Sequence, residues 1–378
     1  MMKKTQKNRL PIYIVIGTRA QIIKVAPLMQ LLEKAGISYS LINTNQHTEK
    51  MDDLLIDFGI RTKFLNIFNK GQEAKTINSF GLWCFRVLLV FLNPFSRKKI
   101  FHFGRGIVLT HGDTASTAWA AIYGRSSFCK VMHIEAGLRS HNIFHPFPEE
   151  LMRIITGWFS NYHMCPTQEA VDNLKLYPGK KINTQANTMY DGVQFALGKI
   201  SKDGGIVKQL TKELKLPAKF SIASIHRYEN IFKIDVLTEL ISIIEETATT
   251  LPVAFILHPS TEIQLEKEGF YQSLHENKKI HFIPRLNFIE FIALTEMSEF
   301  LMVDSGGNQE EMSYTGKPTI ILREATERSE GLGENIILSK LDRDIIKGFV
   351  ANYTKYQRDP IKLASPSQGI YTTLMQIT

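Results

Sequence analysis

Carboxylates and guanidinium groups frame both ends of one short segment of this 378-residue chain. Glu135 and Arg139 stand at one end of VMHIEAGLRSHNIFHPFPEELMR (131–153), and the acidic pair Glu149 and Glu150, with Arg153 behind it, at the other. Carboxylates beside fixed cations suit general acid–base work, because one can hold a proton while the other releases it. A second set stands in THGDT (110–114), where His111 and Asp113 end another apolar run. Residues i and i+2 share a strand face, so His111 with Asp113, and His133 with Glu135, can converge. Two His-x-acid pairs also invite a metal reading, but no third cluster offers ligands at a usual spacing. The plainer alternative packs His133 in a sheet and uses Asp113 to cap the following helix.

A different chemistry is written in the turns GTRAQIIK (17–24), SIHRYEN (224–230) and VDSGGNQEE (303–311). Arg19 and Lys24 bring cations to the start of a helix, where unpaired backbone N–H groups already favour phosphate. His226 and Arg227 offer a titratable group and a permanent cation. Ser305, Gly306 and Gly307 lay bare backbone at a helix N-terminus, and Glu311, further along, can take both hydroxyls of a ribose. The pattern is neither a P-loop nor a complete G-x-G-x-x-G.

All these residues fall where short apolar runs end. IYIVIG (12–17), SYSLINT (38–44), GIVLTHGD (106–113), KVMHIEAG (130–137) and YHMCPT (162–167) read as strands. Helical patterns lie between them, including 22–36, 115–125 and 149–159. A second series follows the polar stretch KISKDGGIVKQ (199–209): 220–226, 253–259, 279–284, 300–306 and 318–324. Strands alternating with helices imply parallel sheets covered on both faces. The expectation is therefore an α/β chain of two doubly wound, Rossmann-like domains, with ligands at the carboxyl ends of the strands. The boundaries are placed at 1–200 and 201–360, with a linker near residue 200 and a tail, 361–378, that can pack back on the first domain.

Composition narrows the partners. With 44% hydrophobic residues the chain can build two cores, and a net charge of +8 suits a small polyanion such as a nucleotide. No Lys/Arg block interleaved with aromatics argues for nucleic acid. Three cysteines without Cys-x-x-Cys spacing, and no signal peptide, point to a reducing cytoplasm. The apolar stretch GLWCFRVLLVFLNPF (81–95) is shorter than the ~20 residues of a spanning helix. It reads as a buried helix, while the basic residues behind it make 81–99 suited to a membrane surface or a partner.

Taken together, GTRAQIIK, NTNQHTEKMDDLLIDFGI (43–60), HGDT, HIEAGLR, PFPEELMR, SIHRYEN, DSGGNQEE and GKPTIILREATERSE resemble, in that order, the UDP-N-acetylglucosamine 2-epimerases. The non-hydrolysing bacterial type is the closer likeness, through the Gln-His of NTNQH, and the resemblance spans about residues 11–340. It implies two Rossmann-like domains in a glycosyltransferase-B-like arrangement with the UDP-sugar in the interdomain cleft, no metal or other cofactor, and a homodimer. The reaction implied is loss of the C2 proton with expulsion of UDP, a glycal, and re-addition after protonation on the opposite face. On that pattern Asp113, Glu135 and Glu149 match the proton-transfer acids, Arg153 a supporting arginine, and His226 a catalytic or diphosphate-contacting histidine. Arg19, Lys24, Ser305, Gly306, Gly307 and Glu311 match the UDP-binding set, with Gln46, His47, Arg139, His258 and Arg328 as further substrate contacts. Arg139 and Arg153 are expected to keep Glu135 and Glu149 ionised.

The chain departs from the family at several points. Ala20 and Gln21 stand where Pro-Glu is usual, and Tyr228 interrupts a His-Arg-Arg-Glu pattern. Thr48, Glu49 and Gly71 replace basic or amide residues beside the Gln-His loop, so activation by a second UDP-sugar in that form is not expected. The alternatives are a hydrolysing 2-epimerase that releases UDP and a free ManNAc-type sugar, a UDP-sugar-dependent glycosyltransferase, and a UDP-sugar-binding scaffold. The sequence does not specify the substituents at C3 and C6.

Overall fold

The computed structural model describes residues 9–46, 51–67, 77–101, 106–143, 147–326 and 328–378. The chain divides into two compact units, Met1–Gly192 with Leu363–Thr378, and Val193–Lys362.

In the first unit, β1 (Ile12–Ile16), β2 (Ser40–Asn43), β3 (Phe64–Asn66), β4 (Ile107–His111), β5 (Lys130–Ile134), β6 (Tyr162–Cys165) and β7 (Lys180–Asn183) form one sheet. Its order is β3-β2-β1-β4-β5-β6-β7, and every pairing is parallel. The central strands are buried on both faces, which is why they read as unbroken apolar runs. The chain leaves β1 toward one edge and returns at β4 toward the other. The turns after β1 and β4 therefore flank the switch point where open α/β sheets take ligands.

The second unit repeats the plan with β8 (Ser221–Ser224), β9 (Val253–Leu257), β10 (Ile280–Pro284), β11 (Leu301–Val303), β12 (Thr319–Ile321) and β13 (Ile336–Leu338). The order β10-β9-β8-β11-β12-β13 is again parallel throughout, with its switch point between β8 and β11. Phe255, Phe300, Met302, Leu240 and Ile244 lie in its core.

Two expectations change. The stretch 199–209 is not an extended linker: helix Met189–Lys202 runs into it, and helix Gly204–Leu214 starts at once behind Asp203. The Asp203 carboxylate accepts from Gly205 N, and that cap offsets the poor helix propensity of the two glycines. Segment 81–95 is buried on one face only. In helix Ile77–Leu92, Trp83 and Val87 join the core with Tyr13, Val15 and Phe101, and Trp83 Nε1 donates to Thr44 O at 3.0 Å. Leu82, Phe85, Leu89 and Leu92 on that helix are exposed, as is Phe95 beyond it. No described helix is long and apolar enough to cross a membrane.

The C-terminal helix Pro366–Ile377 belongs to the first unit and packs on helix Arg19–Lys34. Leu363 N donates to Tyr190 Oη, and Ser367 N to Asp191 Oδ2 at 2.7 Å.

Candidate active site

The turn after β1 begins with Gly17, and only glycine fits there. A Cβ would lie 2.2 Å from Ser116 Oγ and 2.5 Å from Thr44 Oγ1. Thr18 then caps helix Arg19–Lys34 in a reciprocal box with Gln21. Gln21 does more than cap. Its Oε1 accepts from Gly17 N at 2.8 Å, while Nε2 donates to His111 O at 2.6 Å and to the hydroxyls of Thr114 and Thr117. One buried amide thus ties the β1 turn to the β4 turn across the switch point.

Three residues further along that helix, Lys24 is buried and places Nζ 3.0 and 2.9 Å from the two oxygens of Glu135. His111 Nε2 lies 3.1 Å from Glu135 Oε2. Lys24, expected on the nucleotide, is therefore the partner of the acid. Glu135 itself follows β5 with φ +63°, a left-handed backbone that side chains other than glycine rarely adopt and that clusters at functional sites. Gly137 completes the turn at φ +88°, where a Cβ would strike Ala170 O at 2.1 Å.

His111 and Asp113 do not converge. The strand ends at His111 and Gly112 turns at φ +71°, so the two-residue periodicity stops there. Thr114, not Asp113, caps helix Ala115–Ser126. Asp113 Oδ2 instead receives Arg153 Nη2 at 2.6 Å and Nε at 3.0 Å, a two-pronged clamp. His133 turns into the sheet and bonds Gly112 O through Nε2 at 2.7 Å; burial pushes its pKa down to about 3. It holds the β4 turn rather than serving Glu135.

Arg139 and Arg153 were expected to flank Glu135 and Glu149. Both bond Glu150, which is 0% exposed: Arg139 through Nε, Arg153 through Nη1 at 3.2 Å, with Ser140 N at 3.1 Å. Burial pushes the Glu150 carboxyl up, and these donors outweigh it, so its pKa lies below the usual value. Arg139 Nη1 also donates to Tyr177 Oη at 2.8 Å. Glu149, opening helix Glu149–Phe159, is half-buried, and its Oε2 has no hydrogen-bond partner among the described residues. Gln46 accepts from Ser116 Oγ at 2.7 Å. His47, with Thr48, Glu49 and Gly71, lies outside the described residues.

The second unit gathers a separate set at its own switch point. Asp304, directly after β11 and fully buried, accepts through Oδ2 from His226 N, Arg227 N and Asn230 Nδ2 at 2.9, 2.9 and 3.1 Å. Its Oδ1 faces His226 Nδ1 at 3.4 Å. The His226 ring stacks on His258 with centroids 4.1 Å apart. Burial lowers both pKa values; for His258, burial with neighbouring His226 and Arg285 brings it to about 3. Two neutral imidazoles therefore line this turn at neutral pH. Ser305 caps helix Gly306–Thr315 by accepting from Gly307 N at 3.2 Å. Glu311 Oε2 accepts from Asn308 on its own helix at 2.9 Å. Arg328, expected on the substrate, places Nη1 2.7 Å from the buried Glu310.

Asp304 and Glu150 are organising residues to which reasoning from the sequence gave no role, although Glu150 was seen as one of an acidic pair. Both lie inside quoted motifs, and both are acids that face backbone or arginine rather than solvent. Among the described residues no group of three or more His, Cys, Asp or Glu side chains is placed to hold a metal ion.

The family model described as UDP-N-acetylglucosamine 2-epimerase matches residues 29–367. The chain belongs to the UDP-N-acetylglucosamine 2-epimerase family. The Campylobacter jejuni UDP-N-acetylglucosamine 2-epimerase is 32% identical over 341 residues, covering 86% of this chain and 84% of that one. The Bacillus subtilis enzyme of the same name is 32% identical over 333 residues, covering 86% and 82%. Among solved structures, the Neisseria meningitidis UDP-GlcNAc 2-epimerase bound to UDP-GlcNAc aligns with TM-score 0.81 and 28% identity, over 97% of this chain and 100% of that one. The Methanocaldococcus jannaschii epimerase in complex with UDP-GlcNAc and UDP gives TM-score 0.81 and 26% identity over 97% and 100%. In this epimerase-family chain, the acid-rich cluster and the Ser-Gly-Gly turn lie at the carboxyl edges of the two sheets.

Proposed function

We propose that the chain is a non-hydrolysing 2-epimerase of UDP-N-acetylglucosamine or a derivative modified at C3 or C6, supplying a manno-configured UDP-sugar to cell-surface polysaccharide synthesis. The observation that carries this reading is the first-unit cluster, in which Glu135 meets Lys24 on both oxygens while Asp113 and Arg153 pair beside the same sheet edge. The relatives solved with UDP-GlcNAc support the choice of substrate.

The C2 hydrogen of a hexosamine is weakly acidic, so its removal has to accompany departure of the diphosphate. One carboxylate takes the proton, the C–H pair becomes the C1=C2 bond of a glycal, and the C1–O pair leaves with UDP. Protonation of C2 from the other face and return of UDP to C1 complete the inversion. Glu135 and Glu149 are the two acid/base groups in this reading, with Asp113 held by Arg153 as the third acid. Lys24 keeps the resting Glu135 in place, and Glu149 Oε2, buried and without a hydrogen-bond partner among the described residues, is the oxygen this reading assigns to the substrate.

The second unit supplies the nucleotide half of the chemistry. The exposed amides at the start of helix Gly306–Thr315 favour a diphosphate, and His226 and His258 donate to it as neutral groups. Arg19, at the first helical position behind Thr18, adds a cation at the corresponding turn of the first unit. Glu311 retains the ribose role by exchanging its Asn308 contact for the sugar hydroxyls. The three free cysteines, Cys84, Cys129 and Cys165, suit a cytoplasmic enzyme, and we expect it to work as a homodimer.

The test is proton NMR of UDP-GlcNAc with the enzyme in heavy water. The reading expects deuterium at C2 and a manno epimer that is still a UDP-sugar. Stoichiometric release of UDP would overturn the non-hydrolysing outcome, and absence of exchange with UDP-GlcNAc and with derivatives modified at C3 or C6 would overturn the assignment.

A further inference from the structure

The buried Gln21 amide has a partner for both of its polar atoms, and the partners lie on two different turns. Oε1 accepts from Gly17 N at 2.8 Å and Thr18 N at 3.2 Å, in the turn after β1. Nε2 donates to His111 O at 2.6 Å and lies 3.1 Å from the hydroxyls of Thr114 and Thr117, in the turn after β4 and the helix behind it. Two more side chains hold that second turn: Thr117 Oγ1 donates to His111 O at 2.6 Å, and His133 Nε2 bonds Gly112 O at 2.7 Å. The elements joined in this way carry the groups that meet Glu135. Lys24, three residues beyond Gln21, reaches both carboxylate oxygens at 3.0 and 2.9 Å, and His111 Nε2 lies 3.1 Å from Oε2.

We propose that Gln21 is a positioning residue that holds helix Arg19–Lys34 and the β4 turn at the spacing that lets Lys24 and His111 close on Glu135 from two sides. This role rests on the epimerase reading of the site. The bridge needs an acceptor at one end and a donor at the other, which an amide supplies without a charge. A carboxylate at this position still accepts from Gly17 N and Thr18 N, but it has nothing to donate to His111 O until it takes a proton. Gln stands here where Glu is usual in the sequences the chain resembles, so in this chain the bridge does not depend on a proton. The charged and titratable groups around the position are Arg19 and Lys24 on its own helix, His111 and Asp113 in the β4 turn, and His133 and Glu135 at the end of β5. Helix Ala115–Ser126 brings Arg125 only in its last turn, and helix Pro366–Ile377 has no charged side chain.

The test is Gln21→Glu, with Gln21→Met beside it, followed by kcat, KM and C2 exchange in heavy water from about pH 6 to 8.5, with the folded fraction of each read by circular dichroism. Gln21→Glu keeps the helix cap and with it the place of Arg19, so KM is expected to stay within about threefold of wild type. At the alkaline end its kcat is expected to fall by about 10–100-fold, as misplacing a positioned group does. Burial and the His111 carbonyl favour the neutral acid, so the loss is expected to shrink to within about threefold at the acid end, where the carboxyl regains a proton to donate. Gln21→Met has neither donor nor acceptor, and its kcat relative to wild type is expected to be low by about the same factor and flat across the range. A Gln21→Glu enzyme with wild-type kcat throughout overturns the proposal. So does one whose loss is the same at every pH, because disturbed packing alone would produce that. If Gln21→Met does not fold, the pH dependence of Gln21→Glu decides by itself. A wild-type protein that exchanges no C2 hydrogen overturns the epimerase reading, and this role with it.

Discussion

Acid is expected to unfold this protein through its buried histidines before its carboxylates titrate. His133 is 2% exposed, bonds Gly112 O through Nε2, and has its pKa pushed from 6.5 to about 3 by burial. His258, in the other unit, is brought from 6.5 to about 3 by burial, with His226 and Arg285 as neighbours. Between pH 6.5 and about 3 each binds a proton in the unfolded chain and none in the folded one. The unfolded state then holds more protons, so stability rises with pH and is lost as pH falls below 6.5. Each such histidine contributes a slope of about 1.4 kcal/mol per pH unit, hence about 2 kcal/mol lost per histidine at pH 5. Two of them remove about 4 kcal/mol, a large share of an ordinary stability of about 5–15 kcal/mol. His163 and His226, also lowered by burial, add to the same limb. The assay is a set of urea melts between pH 7.5 and 4.5 on wild type and His133→Gln, which keeps one donor for Gly112 O. The variant's slope is expected to be shallower by one proton. Equal slopes, or a His133 ring carbon that titrates in the folded protein above about pH 5, would refute the burial argument.

Other consequences follow from the same contacts. Glu135→Gln and Glu149→Gln are each expected to lower C2 exchange by about 10²–10⁴-fold while UDP binding, followed by calorimetry, is kept; unchanged exchange in both variants removes their assigned roles. Lys24→Met leaves a buried carboxylate without its cation and is expected to cost about 3–5 kcal/mol in a denaturant melt, whereas a change within error would mean that Glu135 finds solvent. Gly17→Ala drives a methyl group into Ser116 and Thr44 and is expected to cost about 1–3 kcal/mol, partly recovered by adding Ser116→Ala. Glu150→Gln weakens the anchor of Arg139 and Arg153, so kcat is expected to fall more than KM rises; an effect on KM alone would place the arginines on substrate.

Much of the fold is legible because buried parallel strands need unbroken apolar runs. β1, β9 and β11 are apolar throughout, and β4 and β5 carry apolar runs that a Thr or His interrupts only near the carboxyl end. The strands that escaped, β3, β7 and β13, are edges with partly exposed faces, and Phe64–Asn66, Lys180–Asn183 and Ile336–Leu338 carry little periodicity to find. Helix Glu149–Phe159 was visible from its amphipathic spacing. The helical character of 199–209 was not, because Gly204 and Gly205 look like a linker until Asp203 is seen to cap them.

The site was legible in position but not in pairing. Strand ends concentrate the polar residues, so Asp113, Glu135 and His226 could be picked out without coordinates. Which acid meets which base depends on turns that a sequence pattern does not encode. Glu149 and Glu150 show why. They are identical in type and adjacent, yet successive helical residues point about 100° apart. That rotation sends one carboxylate into a closed cage of Arg139, Arg153 and Ser140 and leaves the other with an oxygen that has no hydrogen-bond partner among the described residues. Asp304 is the same lesson in the second unit: three donors from the β8 turn fix it and aim His226, although by sequence it is only the residue before Ser-Gly-Gly. In both units a buried acid bonded to backbone or arginine lies next to the titratable group proposed for the chemistry, and residue type alone does not tell Glu150 from Glu149.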